Sequence, residues 1–376
     1  MNETPFRSAL QERLLTRRSL LAAATGLATA ATLAACAPVS SPSSSSTTGG
    51  GKKLKLTMFV FLGGNLGVMP KEFVKDYTEK HPNVSIELYE QSNAVGYGKM
   101  LAQRKANPDA PLVNFGFFNT STTAQGIGDK MWTTLDYSAM SNAKDITPTF
   151  TRADHYGIGI GSDQLGLVYN TKYLSTAPTS WADLWQGRKG GQLSFFGFPW
   201  YAVYMAAKAN GGSITDMDPG FALWEKNAKL IRVLVESNPQ YLNVLSDGTA
   251  PLTSYFAGTG EQWRQGGAPL SYVVPEEGAI PVPVYLQSVA DQTDDQKAVV
   301  QDIINEMIAP KWANRWAETS VQIPANSLAK TPADLAKLPA FQKSTVDGFL
   351  TVDWDTIGAQ TPAWTDKWNA DVATKI

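Results

Sequence analysis

The apolar positions of the chain fall into alternating rhythms of period two and period 3.6. Residues 54–62, LKLTMFVFL, are a β-branched and aromatic-rich run that stops at Gly63-Gly64, which predicts a strand and a turn. MPKEFVKDYTEKHP follows, with Pro70 suited to a first helical turn and Phe73, Val74 and Tyr77 at helical spacing. NVSIELYE (83–90) alternates as a strand, residues 98–105 form a helix, and APLVNFGFF (110–118) is a third strand. Strand–helix–strand–helix–strand at this spacing predicts a parallel sheet with crossover helices.

The middle of the chain has a different pattern. YGIGIGSDQLGLVYNT (156–171) predicts two short extended segments joined by glycine, and PTSWADLWQG (178–187) a short capped helix. GQLSFFGF is a strand, followed by a helix over 201–210 and a long amphipathic helix over 219–237. PLSYVVPEEGAIPVPVYLQSV (269–289) is a second extended crossing. Residues 293–319 supply two more helices, and the tail is a turn region ending in a tryptophan-rich helix. No internal repeat is present.

Composition narrows the functional classes. Net charge is −2 over 376 residues, with lysines and arginines scattered singly, so no basic stripe points to nucleic acid. Beyond residue 52 no uncharged apolar run is long enough to cross a bilayer. Several of the 11 tryptophans sit near glycine and proline, a placement that suits a ligand cleft as well as a core.

The first 52 residues set the compartment. Arg13, Arg17 and Arg18 precede an uncharged run from Leu20 to Leu33, too short to span a membrane comfortably and organised as an export signal. Thr16–Leu21, TRRSLL, resembles a twin-arginine signal, with Leu20 where relatives often carry phenylalanine. Leu33-Ala34-Ala35-Cys36 resembles the bacterial lipobox, whose cysteine is lipidated and becomes the new N-terminus. Cys36, the only cysteine, is then an acylation site rather than a buried thiol. SSPSSSSTTGGGKK has the composition of a coil-like tether. A diacylglyceryl group, which the lipobox implies, satisfies the two-chain requirement for stable anchoring.

Two βα lobes joined by extended crossings resemble the periplasmic solute-binding protein fold. LGLVYNTKYL…APTSWADLW, YVVPEEGAI and VQIPANSLA, in this order, resemble extracellular solute-binding family 1, the iron/polyamine (spermidine/putrescine) branch of ABC-importer binding lipoproteins. The expected fold is therefore α/β with a ligand cleft between two lobes. Residues 53–158 and 282–330 would form lobe 1, and 159–281 with 331–376 lobe 2. The resemblance implies a small-molecule solute, ABC permease subunits and a membrane reached through the lipid anchor as partners. It implies a monomer outside the cytoplasm, in the periplasm or on the outer face of the cytoplasmic membrane, with no nucleic acid and no cofactor.

Catalytic patterns find little support. His81 and His155 are the only histidines, neither lies in a nucleophile-elbow arrangement, and no H-E-x-x-H or Cys/His cluster occurs. GIGIG at 157–161 lacks G-x-G-x-x-G spacing. An extracytoplasmic enzyme is the alternative outside the binding class.

In α/β sheets, ligand groups come from loops beyond the strands' C-terminal ends, often at helix starts. Four loops fit: GGNLG (63–67), FNTSTTAQ (118–125), GFPWY (197–201) and YFAGTGEQW (255–263). Aligned on the polyamine pattern, its early tryptophan falls near Asn65, its mid-chain acids near Phe198 and Trp200 or Tyr201, and its later stacking tryptophan at Phe256. The tryptophan and aspartate after the PEEG-like turn fall near Val282 and Val284, so the acids needed for a polyamine are largely missing. The adjacent tyrosines of the ferric pattern are missing too. An anionic or zwitterionic organic solute is the favoured expectation, with a polyamine or other cation as the alternative.

Its negative end would meet Gly64, Asn65, Asn119, Thr120, Ser121 and Thr122, and its body Phe198, Trp200, Tyr201 and Phe256. Ordinary helix capping competes for the threonine-rich loop. Glu276 and Glu277 suit a solvated turn, with Glu277 a ligand candidate if its side chain faces the cleft. Arg264 either pairs with an anion or covers the surface.

Overall fold

A computed structural model describes residues 53–62, 65–187 and 192–376. The stretches expected to be an export signal (1–35) and a tether (36–52), with Cys36, and Gly64 lie outside the described residues. In chain order the elements begin with β1 (Leu54–Phe61), α1 (Val68–Lys80), β2 (Val84–Gln91), α2 (Asn93–Ala106), β3 (Phe115–Asn119), α3 (Thr120–Gly128) and β4 (Trp132–Thr133). The middle comprises β5 (Ile158–Asn170), β6 (Leu193–Phe196), α4 (Trp200–Ala209), α5 (Asp218–Asn227), β7 (Ile231–Val235), α6 (Asn238–Ser246), β8 (Leu252–Phe256), α7 (Ala257–Gln265) and β9 (Leu270–Val273). The rest is β10 (Ile280–Val289), α8 (Asp294–Met307), α9 (Pro310–Ser320), β11 (Ile323–Pro324), α10 (Lys343–Asp347) and α11 (Trp354–Asp371).

β1 is parallel to both β2 and β3, so α1 and α2 are the crossovers that the sequence pattern predicts. Strand alternation sends neighbouring side chains to opposite faces. Met58 and Val60 enter a core with Phe73, Phe117 and Trp312. Phe59 and Phe118 enter a core on the other face with Tyr97 and Trp132. Trp316 of α9 stacks on Phe117 at 5.0 Å, and its indole N–H donates to Gln322 Oε1 at 3.0 Å. These residues make the first lobe.

The second lobe has the parallel set β8-β6-β7, again with two-faced packing. Leu167, Trp181, Phe195, Trp224 and Trp368 fill one face, and Val168, Tyr241, Leu245 and Tyr255 the other.

β5 and β10 unite the lobes. They run antiparallel to each other, from Ile158↔Leu286 to Leu165↔Ile280. Near its start β5 also pairs with β11, and further along it pairs with β8 and β9. β5 is one continuous strand of 13 residues, not two segments joined by glycine. Its glycines serve close packing: a Cβ on Gly161 would lie 2.7 Å from the Trp316 ring.

A third passage follows β11, since Leu350, Val352 and Trp354 return to the second core. α11 then reaches both lobes. Trp364, Trp368 and Val372 pack in the second core, while a Cβ on Gly358 would lie 2.5 Å from Ala124 of α3 in the first. Arg152 adds a link to Asp355 at 3.4 Å and lies over the Tyr285 ring of β10.

The helix expected over 219–237 is not formed as one element. It ends at Asn227, a 3-10 turn covers Ala228–Leu230, and β7 follows. Ile231, Val233 and Val235 alternate, and parallel pairing with β6 outweighs the helical spacing they also satisfy. The 269–289 stretch is likewise divided by the PEEG turn into β9 and β10.

Candidate functional site

A cleft of about 560 Å³ opens where β5 and β10 pass between the lobes. Its size falls within the range of small-molecule sites, on the order of 300–1,000 Å³. Helix starts converge on it from both sides. Asn65 and Leu66 lie before α1, Ser92 and Asn93 open α2, and Asn119 caps α3. From the second lobe come Asn238 at the start of α6, and Phe256 and Thr259 at the start of α7. Asp163, Val282, Pro283 and Val284 of the crossing strands form the floor, with Ser320 and Gln322 beside them.

The second-lobe wall is aromatic. Tyr255 stacks on Trp263 at 5.5 Å and 4°, and its hydroxyl donates to Asn238 Oδ1 at 2.5 Å. Phe256 packs edge-on against Tyr255, and Phe61 lines the cleft from the first lobe. Carboxamides and hydroxyls make up most of the polar lining.

Among the described residues that line the cleft, Asp163 is the one that can carry charge. Its Oδ1 accepts from Gln164 N at 2.8 Å and from Gly258 N at 3.1 Å. Burial pushes its carboxyl up to about 7, against the opposing effect of the Gly258, Gln164 and Ala257 amides. The amides at the start of α7 are thus turned to a carboxylate of the chain itself.

Of the residues expected at the site, Asn65, Asn119 and Phe256 line the cleft. Asn119 also has a structural task, because its Oδ1 caps α3 by accepting from Thr122 N at 2.8 Å. Thr120 and Thr122 are buried at that helix start, and Ser121 lies against α11, its carbonyl 3.7 Å from a Cβ placed on Gly358. None of the three lines the cleft.

Phe198, Trp200 and Tyr201 belong to the second core. Phe198 stacks on Phe221, Trp200 packs edge-on against Trp354, and buried Tyr201 neighbours Tyr241 and Tyr255. Gly197, at φ 57°, turns the chain into α4, and Trp368 and Trp354 of α11 pack against Phe198 and Trp200. Glu277 faces a separate surface groove, where it accepts from the Ser180 hydroxyl at 2.5 Å and Trp181 N at 3.2 Å. Arg264 forms a two-pronged pair with Glu261 at 2.7 Å.

YFAGTGEQW is not a loop but the end of β8 and the body of α7. Asp163, Asn93, Asn238 and Gln322 line the cleft from outside the four expected loops, while Tyr255 and Trp263 lie within YFAGTGEQW, of which Phe256 alone is singled out by the sequence. The available signal for Asp163 was an acid placed alone in a glycine-rich and apolar strand.

No curated protein matches the sequence. Solved structures share the fold. An ABC transporter protein from Clostridium perfringens is 18% identical with a TM-score of 0.71, over 85% of this chain and 100% of that one. The spermidine/putrescine ABC transporter substrate-binding protein PotD from Streptococcus pneumoniae is 18% identical with a TM-score of 0.68, over 84% and 98%. The binding protein MotA from A. tumefaciens, in complex with glucopine, is 16% identical with a TM-score of 0.66, over 84% and 98%. A family model described as bacterial extracellular solute-binding protein matches residues 72–343, and the chain belongs to that family.

Proposed function

We propose that the protein is the solute-capturing component of an ABC importer, lipid-tethered through Cys36 outside the cytoplasm. It would bind one small polar organic solute and present it to the permease. The observation that carries this reading is the 560 Å³ cleft, lined by both lobes at the strands that connect them. A solute touching both walls would favour the conformation in which the walls are closest. The likeness to PotD and MotA supports import as the setting and leaves the solute class open.

The lining bears on solute charge. Among the described residues it contains no lysine, arginine or histidine, so a purely anionic solute would meet only dipoles and one carboxylate there. A polyamine would have one acid for several ammonium groups, and unpaired ammonium is costly to desolvate. A solute of low net charge satisfies both constraints.

Small-angle scattering and intrinsic fluorescence, recorded against a library of cationic, anionic, zwitterionic and neutral metabolites, test capture. The expected result is saturable binding with a smaller radius of gyration. Turnover of a bound compound, or no saturable binding in any charge class, would overturn the reading. The tether is tested separately: Cys36→Ala should move the protein from the membrane fraction to the soluble one.

A further inference from the structure

We propose that Asp163 sets the solute class by pairing with the single cationic nitrogen of a small zwitterionic amine. This deepens the capture function and rests on the cleft being the capture site.

Three observations converge on Asp163. It is the one charged group among the described residues of the lining, so it is the group there that can match a full charge on the solute. It lies on β5, one of the strands that pass between the lobes, on a lining to which both walls contribute. Its Oδ1 is fixed by the Gln164 and Gly258 amides, and among the described ion pairs none includes it.

The surroundings set the rest of the solute. The start of α7 is turned to Asp163, so an anion approaching from the second lobe meets a carboxylate before it meets amides. Across the cleft, Asn65, Ser92, Asn93 and Asn119 sit at three helix starts with no acid among them. Ser92 occupies the cap position of α2 without making a capping hydrogen bond. Helix starts favour negative groups. The arrangement is dipolar: carboxylate at the floor, helix starts on the first-lobe wall. A solute with ammonium at one end and carboxylate or hydroxyls at the other is its complement. A diamine would leave its second ammonium on that wall.

Loading should also depend on pH. The titratable groups facing Asp163 are Tyr255 of β8 and Tyr272 of β9, both held neutral by burial. The carboxyl titrates at about 7, and only its ionised form pairs with ammonium, so affinity falls as pH drops from about 8 to 6.

The experiment is titration calorimetry on the full chain. The probes are ω-amino acids from glycine to 6-aminohexanoate and the proteinogenic amino acids. Amine-free monocarboxylates, dicarboxylates and diamines of matching length serve as controls. At least one amino acid should bind the wild type, while its amine-free counterpart and the diamines bind far more weakly. Asp163→Asn should weaken that binding about 10–100-fold, the span of a charge-assisted hydrogen bond, and should flatten its pH dependence.

Wild-type pH dependence gives the second measurement if the variant folds poorly. Three results would overturn the assignment: equal affinity in Asp163→Asn, pH-independent amine binding, or a preference for carboxylates, diamines or neutral compounds. Those results leave capture intact. Absence of binding by every amine overturns the assignment too, and capture then stands or falls on the wider library.

Discussion

Gly258 sits where no side chain fits. A Cβ there would come 2.6 Å from the Val321 carbonyl and 3.0 Å from Asp163 Oδ2. Gly258→Ala must displace α7 from both neighbours and should lower stability by about 1–3 kcal/mol. Urea denaturation checks the stability, and calorimetry should show weaker solute binding because the Asp163 anchor moves. Val321 adds strain at the same junction, being a β-branched residue at φ 56°. Asp163 also gives stability a pH signature. Folded, its carboxyl holds a proton up to about pH 7; unfolded, it loses that proton near the ordinary aspartate value of 3.8. Between those values the folded state binds more protons, so this group's contribution falls as pH rises from about 4 to about 7 and is flat above. Denaturation at pH 5 and pH 8 should show wild type losing stability relative to Asp163→Asn on going to the higher pH. Nothing in local sequence marks Asp163 as a floor residue, because its position depends on the pairing of β5 with β10 and on α7 arriving beside it.

At the scale of elements, α11 separates packing from binding. Trp368 is 1% exposed and packs against Trp224 and Phe198, so Trp368→Ala should cost about 3–5 kcal/mol, read as a fall in thermal midpoint. Trp200 lies against Trp354 of the same helix and outside the cleft lining, so Trp200→Ala should leave solute affinity within about twofold. A larger loss would return GFPWY to the site. Glu277→Gln weakens the acceptor for Ser180 and Trp181 N and should cost about 1 kcal/mol without changing affinity. Most elements were legible in the sequence because their periodicity and breakers agree: β1, α1 and β2 lie between glycine and proline signals. The 219–237 stretch was not, because alternating Ile231, Val233 and Val235 follow directly on a helical pattern. The same limit applied to the site. Helix-start loops were visible as composition, but whether a loop faces the cleft or a core depends on partners far along the chain. FNTSTTAQ is legible as a cap, and its burial against α11 is not.

For the molecule as a whole, the three passages mean that neither lobe is a continuous segment. The first core draws Trp312 and Trp316 from α9, and the second draws Ile357, Trp364 and Trp368 from α11. A chain ending at Gly348 would leave the second core without those three side chains. It should lack a cooperative unfolding transition and near-ultraviolet circular dichroism; a native-like transition would contradict the dependence on α11. The order of α11, after every strand it packs against, also bears on folding. Its closing contacts reach residues synthesised more than 200 positions earlier, Ala124 by way of Gly358 and Arg152 by way of Asp355. Such long-range pairing is slow to form, and here it cannot begin until α11 itself has been synthesised. Until α11 docks, the second core lacks Ile357, Trp364 and Trp368, so a nascent chain keeps that lobe open and exposed to proteases and chaperones.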